Sequence, residues 1–548
     1  TPNTGPVLGF TPIPNPGGPV PSISGDYEYQ VIIPWGTPLF PGVPDIDGGR
    51  PASSADQEKQ VGIGHDGMWF FADRGSNERG VLCINHEFGF NAHVLGKSFP
   101  ESLEDVRISQ AAHGVTVVEL IKQRGTWTSS TSSPYNRRIT PNTPVVFGGP
   151  VVGSPVLDSR MGNDPAGTLN NCSNGYTPWG TYLTCEENFN GYFGAVDDFL
   201  PTDEQARYGF SDSGFGYGWH VFDERWDLNK NAGEENRFGW VVEIDPRDPA
   251  APPVKHTALG RFKHEGFAFT TGRGGRAVGY MGDDQRFDYI YKFVSASNWK
   301  SMRARGKSPF SEGVLYVARF DDDGTGEWLP LTIDDPALAA RFADQAELLT
   351  YARVAADIVG ATPMDRPEWT SVAPNGDVYC TLTNNSRRTE ADAANPEAPN
   401  INGHIIRWRD ADNHVGTTFE WDIFVLCTDT LGTDYEFTAP DGLWADPEGR
   451  IFVETDGGQH AGGNYQMVVA DSNTEEFRRL FTGVTRDEIT GLTVTPDRRT
   501  LFCNTQHPGN GDPNLTNFPV LNDPPDGVTI PRDATFVITR KDGGIVGS

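Results

Sequence analysis

Lysine is scarce in this sequence. It supplies 10 of the 44 basic residues, and arginine supplies the other 34. No CxxC pair occurs. The six cysteines (Cys83, Cys172, Cys185, Cys380, Cys427 and Cys503) stand singly along the chain. That spacing excludes a zinc ribbon and a dense disulfide scaffold. No apolar run approaches the roughly 18 residues that a membrane helix needs, so no membrane span is expected. The nucleophile elbow G-x-S-x-G, the Walker A loop, the dinucleotide fingerprint and the H-E-x-x-H helix are all missing. Clustered basic residues are missing too, and the formal net charge is −30. Nucleic acid is therefore not an expected partner.

Glycine and proline are abundant, at 63 and 42 of 548 residues. Together they make about 19%, against the usual ~12%. Long helical bundles do not tolerate that share. Hydrophobic residues make 37% and aromatics 11%, enough for a large core. The expected fold is all-β: a decorated β-propeller of six blades, with a few helices in insertions. Residues 1–50, Pro- and Gly-rich, read as an extended segment packed on the body. Residues 51–548 read as one propeller domain with inserted loops. Helical periodicity appears over 335–358 (DPALAARFADQAELLTYARVAADI), and a short helical turn is expected over 201–208.

Internal similarity carries the fold assignment. PEWTSVAPNGDVYCTLTNN from Pro367, PDGLWADPEGRIFVETDGG from Pro440 and EITGLTVTPDRRTLFCNTQHPG from Glu488 share one pattern. Each reads acid, apolar strand, tight turn, apolar strand, polar end. Looser copies begin at His264 (HEGFAFTTGRGGRAVGYMGDD), Thr177 (TPWGTYLTCEEN) and Asp66 (DGMWFFADRGSNERGVLCINHE). Two antiparallel strands per repeat, with the clearest neighbours about 49 residues apart, match a four-stranded blade.

In a propeller, equivalent positions lie at equal radius around one axis. The acid that opens each repeat, at Glu265, Glu368, Asp441 and Glu488, then points to the tunnel mouth. The second strands end in more polar residues: Glu87, Cys185-Glu186-Glu187, Asp283-Asp284, Asn384-Asn385 and Asp456. So many carboxylates repel unless cations compensate them. Oxygen ligands favour Ca²⁺. The Cys185 thiol beside Glu186 suits a transition metal, so two kinds of metal are expected. Arg366, two residues before Glu368, can present its planar fork to a phosphate oxyanion. His86, His264 and His507 adjoin strand ends, where they can orient the acids.

NCxxGxTPWGTYLTCEEN (Asn171–Asn188), GRFKHEGFAF (Gly260–Phe269), GYMGDDQRFDYIYKFV (Gly279–Val294), RPEW before VYCTLTNN, and TPDRRTLFCNTQHPG (Thr495–Gly509) together resemble the PhoX-type alkaline phosphatases. INHEFG at Ile84–Gly89 adds to the match. The resemblance runs from about residue 80 to 510. It implies a bacterial phosphomonoesterase, active at alkaline pH and exported by the twin-arginine route; the chain opens Thr-Pro-Asn-Thr, and its signal is expected to have been removed. It implies a cofactor of two oxo-bridged ferric ions with several calcium ions. By motif, Cys185 would ligate iron, and Glu265, Glu368 and Asp456 would bind metal. Glu87, Glu186 and Glu488 would be calcium ligands. Arg366 would bind substrate phosphate as the catalytic residue, with Asn171 as a further phosphate contact. Small phosphate esters are the implied substrates, and a monomer is expected. The reaction expected is in-line attack by a metal-bridging oxo or hydroxide. Cys83, Cys380 and Cys503 depart from the pattern by standing where aliphatic residues are expected. Two other readings stay open from the residues: a calcium-dependent lactonase or esterase propeller, and a non-enzymatic propeller that binds proteins.

Overall fold

The structure is a computed structural model and describes residues 8–164 and 166–548. The repeated segments fall on antiparallel hairpins, the one from Thr177 covering only the turn and second strand of its hairpin, and each hairpin forms the inner half of one blade. The six inner strands are His65–Ala72, Asn171–Tyr176, His264–Thr271, Pro367–Val372, Pro440–Ala445 and Glu488–Val494. They touch their neighbours in that order, and the sixth touches the first, so the ring closes. Among the described residues the sheets make six blades; the third and fourth share one nine-stranded sheet, joined where Thr325–Pro330 pairs with Thr418–Leu426.

Closure uses the N-terminal segment. Tyr27–Ile32 pairs antiparallel with Ala534–Arg540 as the outer strand of the sixth blade. Ser22–Ile23 extends the fifth blade by pairing with Phe477–Thr482. Part of the segment read as merely extended over residues 1–50 is therefore built into two sheets. The expected helical stretch is three short helices, Pro336–Arg341, Gln345–Thr350 and Ala352–Val359, and the expected turn near 201–208 is Asp203–Arg207.

The core is divided among the blade interfaces. Strand alternation sends successive side chains to opposite neighbours. Cys503 faces the fifth blade beside Phe452, Met467 and Val469. The adjacent Phe502 faces the first blade beside Met68 and Leu82. Cys83 and Cys380 fill similar interfaces, which is why a small apolar-like residue fits there.

One local irregularity positions the site. The ladder shifts register just after the first residues of the inner strands, between His65/Met68, Glu265/Ala268, Pro367/Thr370, Pro440/Leu443 and Thr490/Leu492. A bulge adds a residue and re-aims its neighbour. Asp66, Glu265, Glu368 and Asp441 sit at these bulges and turn away from the blade interfaces toward the axis. Gly266 follows Glu265 with φ +87, and a Cβ there would stand 2.9 Å from Ser173 Oγ. Glycine permits both the backbone and the close approach.

Candidate active site

The mouth of the tunnel gathers two tiers of ligand atoms. The upper residues of the inner strands supply Asp66, Cys172, Glu265, Glu368, Asp441 and Glu488. The residues just after the second strands supply Glu87, Glu187, Asp284, Asp456 and His507. Four triads have ligand atoms within 4.8 Å of one another: Asp66, Glu87 and Cys172; Cys172, Glu187 and Glu265; Glu265, Asp284 and Glu368; and Asp456, Glu488 and His507. Cys172 and Glu265 each belong to two triads, so the first three form one continuous arc.

These acids are buried without enough partners. Glu187 Oε1, Glu265 Oε2 and Asp441 Oδ1 have no hydrogen-bond partner. Burial, and then the neighbouring carboxylates, push Glu265, Glu368, Asp441, Glu87, Glu187 and Glu488 well above the ordinary carboxylate range. Burial, and then Asp66 and Glu265, raise the Cys172 thiol well above its usual value; its Sγ donates to Asp66 Oδ2 at 3.1 Å. The charged forms need positive charge in the middle of the arc. Orphaned hard oxygens with one soft sulfur fit metal cations.

The protein supplies cations at one side. Arg366 Nε and Nη2 donate to Asp284 at 2.9 and 3.0 Å, and Nη2 also donates to Glu368 at 3.0 Å. Burial alone would lower Arg366, but Asp284 and Glu368 outweigh it and hold the guanidinium charged. Lys263 Nζ donates to Asn188 Oδ1 and Gln285 Oε1 at 2.9 and 3.0 Å. Asn188 in turn donates its amide to Glu187.

The structure therefore brings together Arg366, Glu265, Glu368, Glu87, Asp456 and Glu488. It does not bring Cys185, Glu186 or Asn171 to the mouth. Cys185 lies in the apolar interface of the second and third blades with Leu183, Trp240 and Met281. Glu186 points the other way along its strand. It accepts from Lys255 Nζ at 2.9 Å, from the Gly239 and Trp240 amides at 3.1 Å each, and from the Thr168 hydroxyl at 2.9 Å. The Asn171 amide is spent on the Thr168 and Thr184 hydroxyls at 2.7 and 2.9 Å, in a fully buried position. Cys172, Glu187, Lys263 and Asn188 hold the corresponding places. Cys172 escaped the sequence reading because the repeat at Thr177 begins at its turn. Extending it back by one strand, to Asn171, would have set Cys172 level with Glu265.

The sequence profile of the alkaline phosphatase PhoX family matches residues 8–509. The chain belongs to the PhoX alkaline phosphatase family. The solved structure of Pseudomonas fluorescens PhoX, in complex with vanadate as a transition state analogue, is 42% identical, with TM-score 0.92 over 99% of this chain and 100% of that one. Family and structural match together make this PhoX-family chain a phosphoric monoester hydrolase. A protein of unknown function from Dyadobacter fermentans (10% identity, TM-score 0.39, 94% of this chain and 99% of that one) and a glycosyl hydrolase from Bacteroides ovatus (10%, 0.32, 86% and 96%) are far more remote. No curated protein matches the chain. No helix among the described residues is long and apolar enough to cross a membrane.

The Lys255–Glu186 pair is fully buried, and burial pulls Lys255 down to about 8. Lys255→Met should cost about 3–5 kcal/mol, as removing one partner of a buried pair does. A urea midpoint equal to that of the unaltered protein would contradict this structural role for Glu186.

Proposed function

We propose that the enzyme is a metal-dependent alkaline phosphomonoesterase whose tunnel mouth holds iron and calcium ions. The observation that carries this reading is the arc of buried, under-partnered carboxylates around the Cys172 thiol. In place of Cys185, Cys172 is the soft ligand expected to hold iron, since a coordinating thiol gives up its proton to the metal. Asp66, Glu87, Glu187 and Glu265 flank it, and Glu368, Asp441, Asp456 and Glu488 are further hard ligands suited to calcium. When bound, such ions offset the charge of phosphoryl oxygens and activate an oxygen nucleophile.

The chain's own residues then orient the ester. The Arg366 side chain is 22% exposed, and its guanidinium borders this arc at Asp284 and Glu368. Its Nη1 carries no hydrogen bond among the described residues, so it can donate to a phosphoryl oxygen while Nε and Nη2 stay anchored on Asp284 and Glu368. Lys263 fixes Asn188, in place of Asn171, so that the amide stands at the mouth beside Glu187. Both groups are preorganised, and preorganised donors favour the charge that develops at phosphorus over the ground state. The vanadate bound by the Pseudomonas relative supports displacement through a five-coordinate phosphorus in this chain too. Export by the twin-arginine route and a monomeric state belong to the same reading.

Arg366→Ala should lower kcat on an aryl phosphate about 10²–10³-fold, the loss typical of one preorganised electrostatic donor. Unchanged turnover would remove Arg366 from the reaction. Elemental analysis should find Cys172→Ser depleted of iron and Cys185→Ser loaded like the parent. The opposite pattern would return the iron to Cys185.

A further inference from the structure

A cavity of about 480 Å³ opens beside the mouth. Glu87 and Asn188 belong to its lining, so it is continuous with the phosphate-handling side of the site. Four aromatic rings form much of the rest of its lining. Phe88 and Phe90 come from the segment after the second strand of the first blade, and Phe215 and Tyr217 come from the glycine-rich loop that follows Tyr208. Phe90 is 44% exposed and Phe215 is 56% exposed. Two large rings left open beside buried acids are costly in water and are the natural contact for a flat apolar ligand.

The walls are held in place before any ligand arrives. Asn91 donates its side-chain amide to the Gly216 and Tyr217 carbonyls, both at 3.2 Å, tying the two segments together. The Phe215 N–H donates to the Gly191 carbonyl at 2.8 Å. Gly214, Gly216 and Gly218 all have positive φ, which lets the loop project Phe215 and Tyr217 at alternate positions. Tyr217 stacks on Tyr192 with ring centroids 4.4 Å apart. Phe88 and Phe90 meet edge to face at 5.0 Å. The Asn91 Oδ1 atom is buried without a hydrogen-bond partner, in a residue that is 7% exposed and lines the cavity.

We propose that this cavity is a leaving-group subsite, resting on the phosphomonoesterase reading, and that it favours esters whose alcohol carries a planar aromatic ring. The phosphoryl group lies at the arc, the ester oxygen points past Glu87 and Asn188, and the ring lies between the Phe88–Phe90 wall and Phe215. Small aliphatic esters reach the same phosphate contacts and leave the aromatic walls unused.

The test compares phenyl phosphate with glycerol 2-phosphate on the protein loaded with iron and calcium. Phe215→Ala and Phe90→Ala should each lower kcat/KM for phenyl phosphate about tenfold, chiefly through KM, as loss of one aromatic contact does. Values for glycerol 2-phosphate should move less than about twofold. Calorimetry with non-hydrolysable esters reads the cavity without turnover. The unaltered protein should prefer phenylphosphonate to methylphosphonate by about tenfold, and both variants should lose that preference. Equal losses on the two esters, or equal affinities of the unaltered protein for the two phosphonates, overturn the proposal. Failure to cleave either ester counts against the phosphatase reading instead, and the phosphonate comparison still decides the cavity.

Discussion

Like charge packed into a low-dielectric hub governs this molecule. Carboxylates brought this close cannot all ionise unless positive charge sits among them. The ring of blades is what forces them together, because each inner strand delivers its upper side chain to the same axis. A sheet that stayed open would spread Asp66, Cys172, Glu265, Glu368, Asp441 and Glu488 along an edge, where water could solvate them. Closure through Tyr27–Ile32 on Ala534–Arg540 fixes the sixth blade against the first and so holds the hub at its radius.

The molecule separates acids that its own cations satisfy from acids that it leaves wanting. Consecutive acids show the division clearly. Asp283 pairs with Arg353 at 2.6 Å, while the next residue, Asp284, reaches the hub. Glu186 pairs with Lys255, while Glu187 reaches the hub. In each pair the strand's twofold alternation sends the first acid into a blade interface and the second to the axis. Few lysines are needed for this arrangement, and Lys255 and Lys263 are both committed to it. Arg366 is the exception that does both jobs. It is anchored by two hub acids and still offers one free donor edge to the opening.

Much of this was legible before any coordinates. Five of the repeats coincide with inner hairpins and the sixth, from Thr177, with the turn and second strand of one; Glu265, Glu368, Asp441 and Glu488 share one position of the repeated pattern, and the ring brings them to the hub. The misplacements share a cause. In LTCEEN the polar cluster spans several residues, and composition alone does not say which of Cys185, Glu186 and Glu187 faces the axis. Register decides it, and register came from pairing: Glu186 lies opposite Asn171, with a bulge between Thr184 and Glu186. The family resemblance implied a phosphate contact at Asn171, and its partners Thr168 and Thr184 are ordinary residues with no motif around them. The role of residues 22–32 was hidden for a different reason. Their partners lie at the far end of the chain, and a two-strand contact across some 500 residues leaves no local signal.

The most direct measurement is anomalous scattering at the iron edge from crystals of the purified protein. A strong peak at bonding distance from Cys172 Sγ, beside Glu187 and Glu265, is the predicted result. A hub with no anomalous density, or iron seated against Cys185 between the second and third blades, would contradict the account.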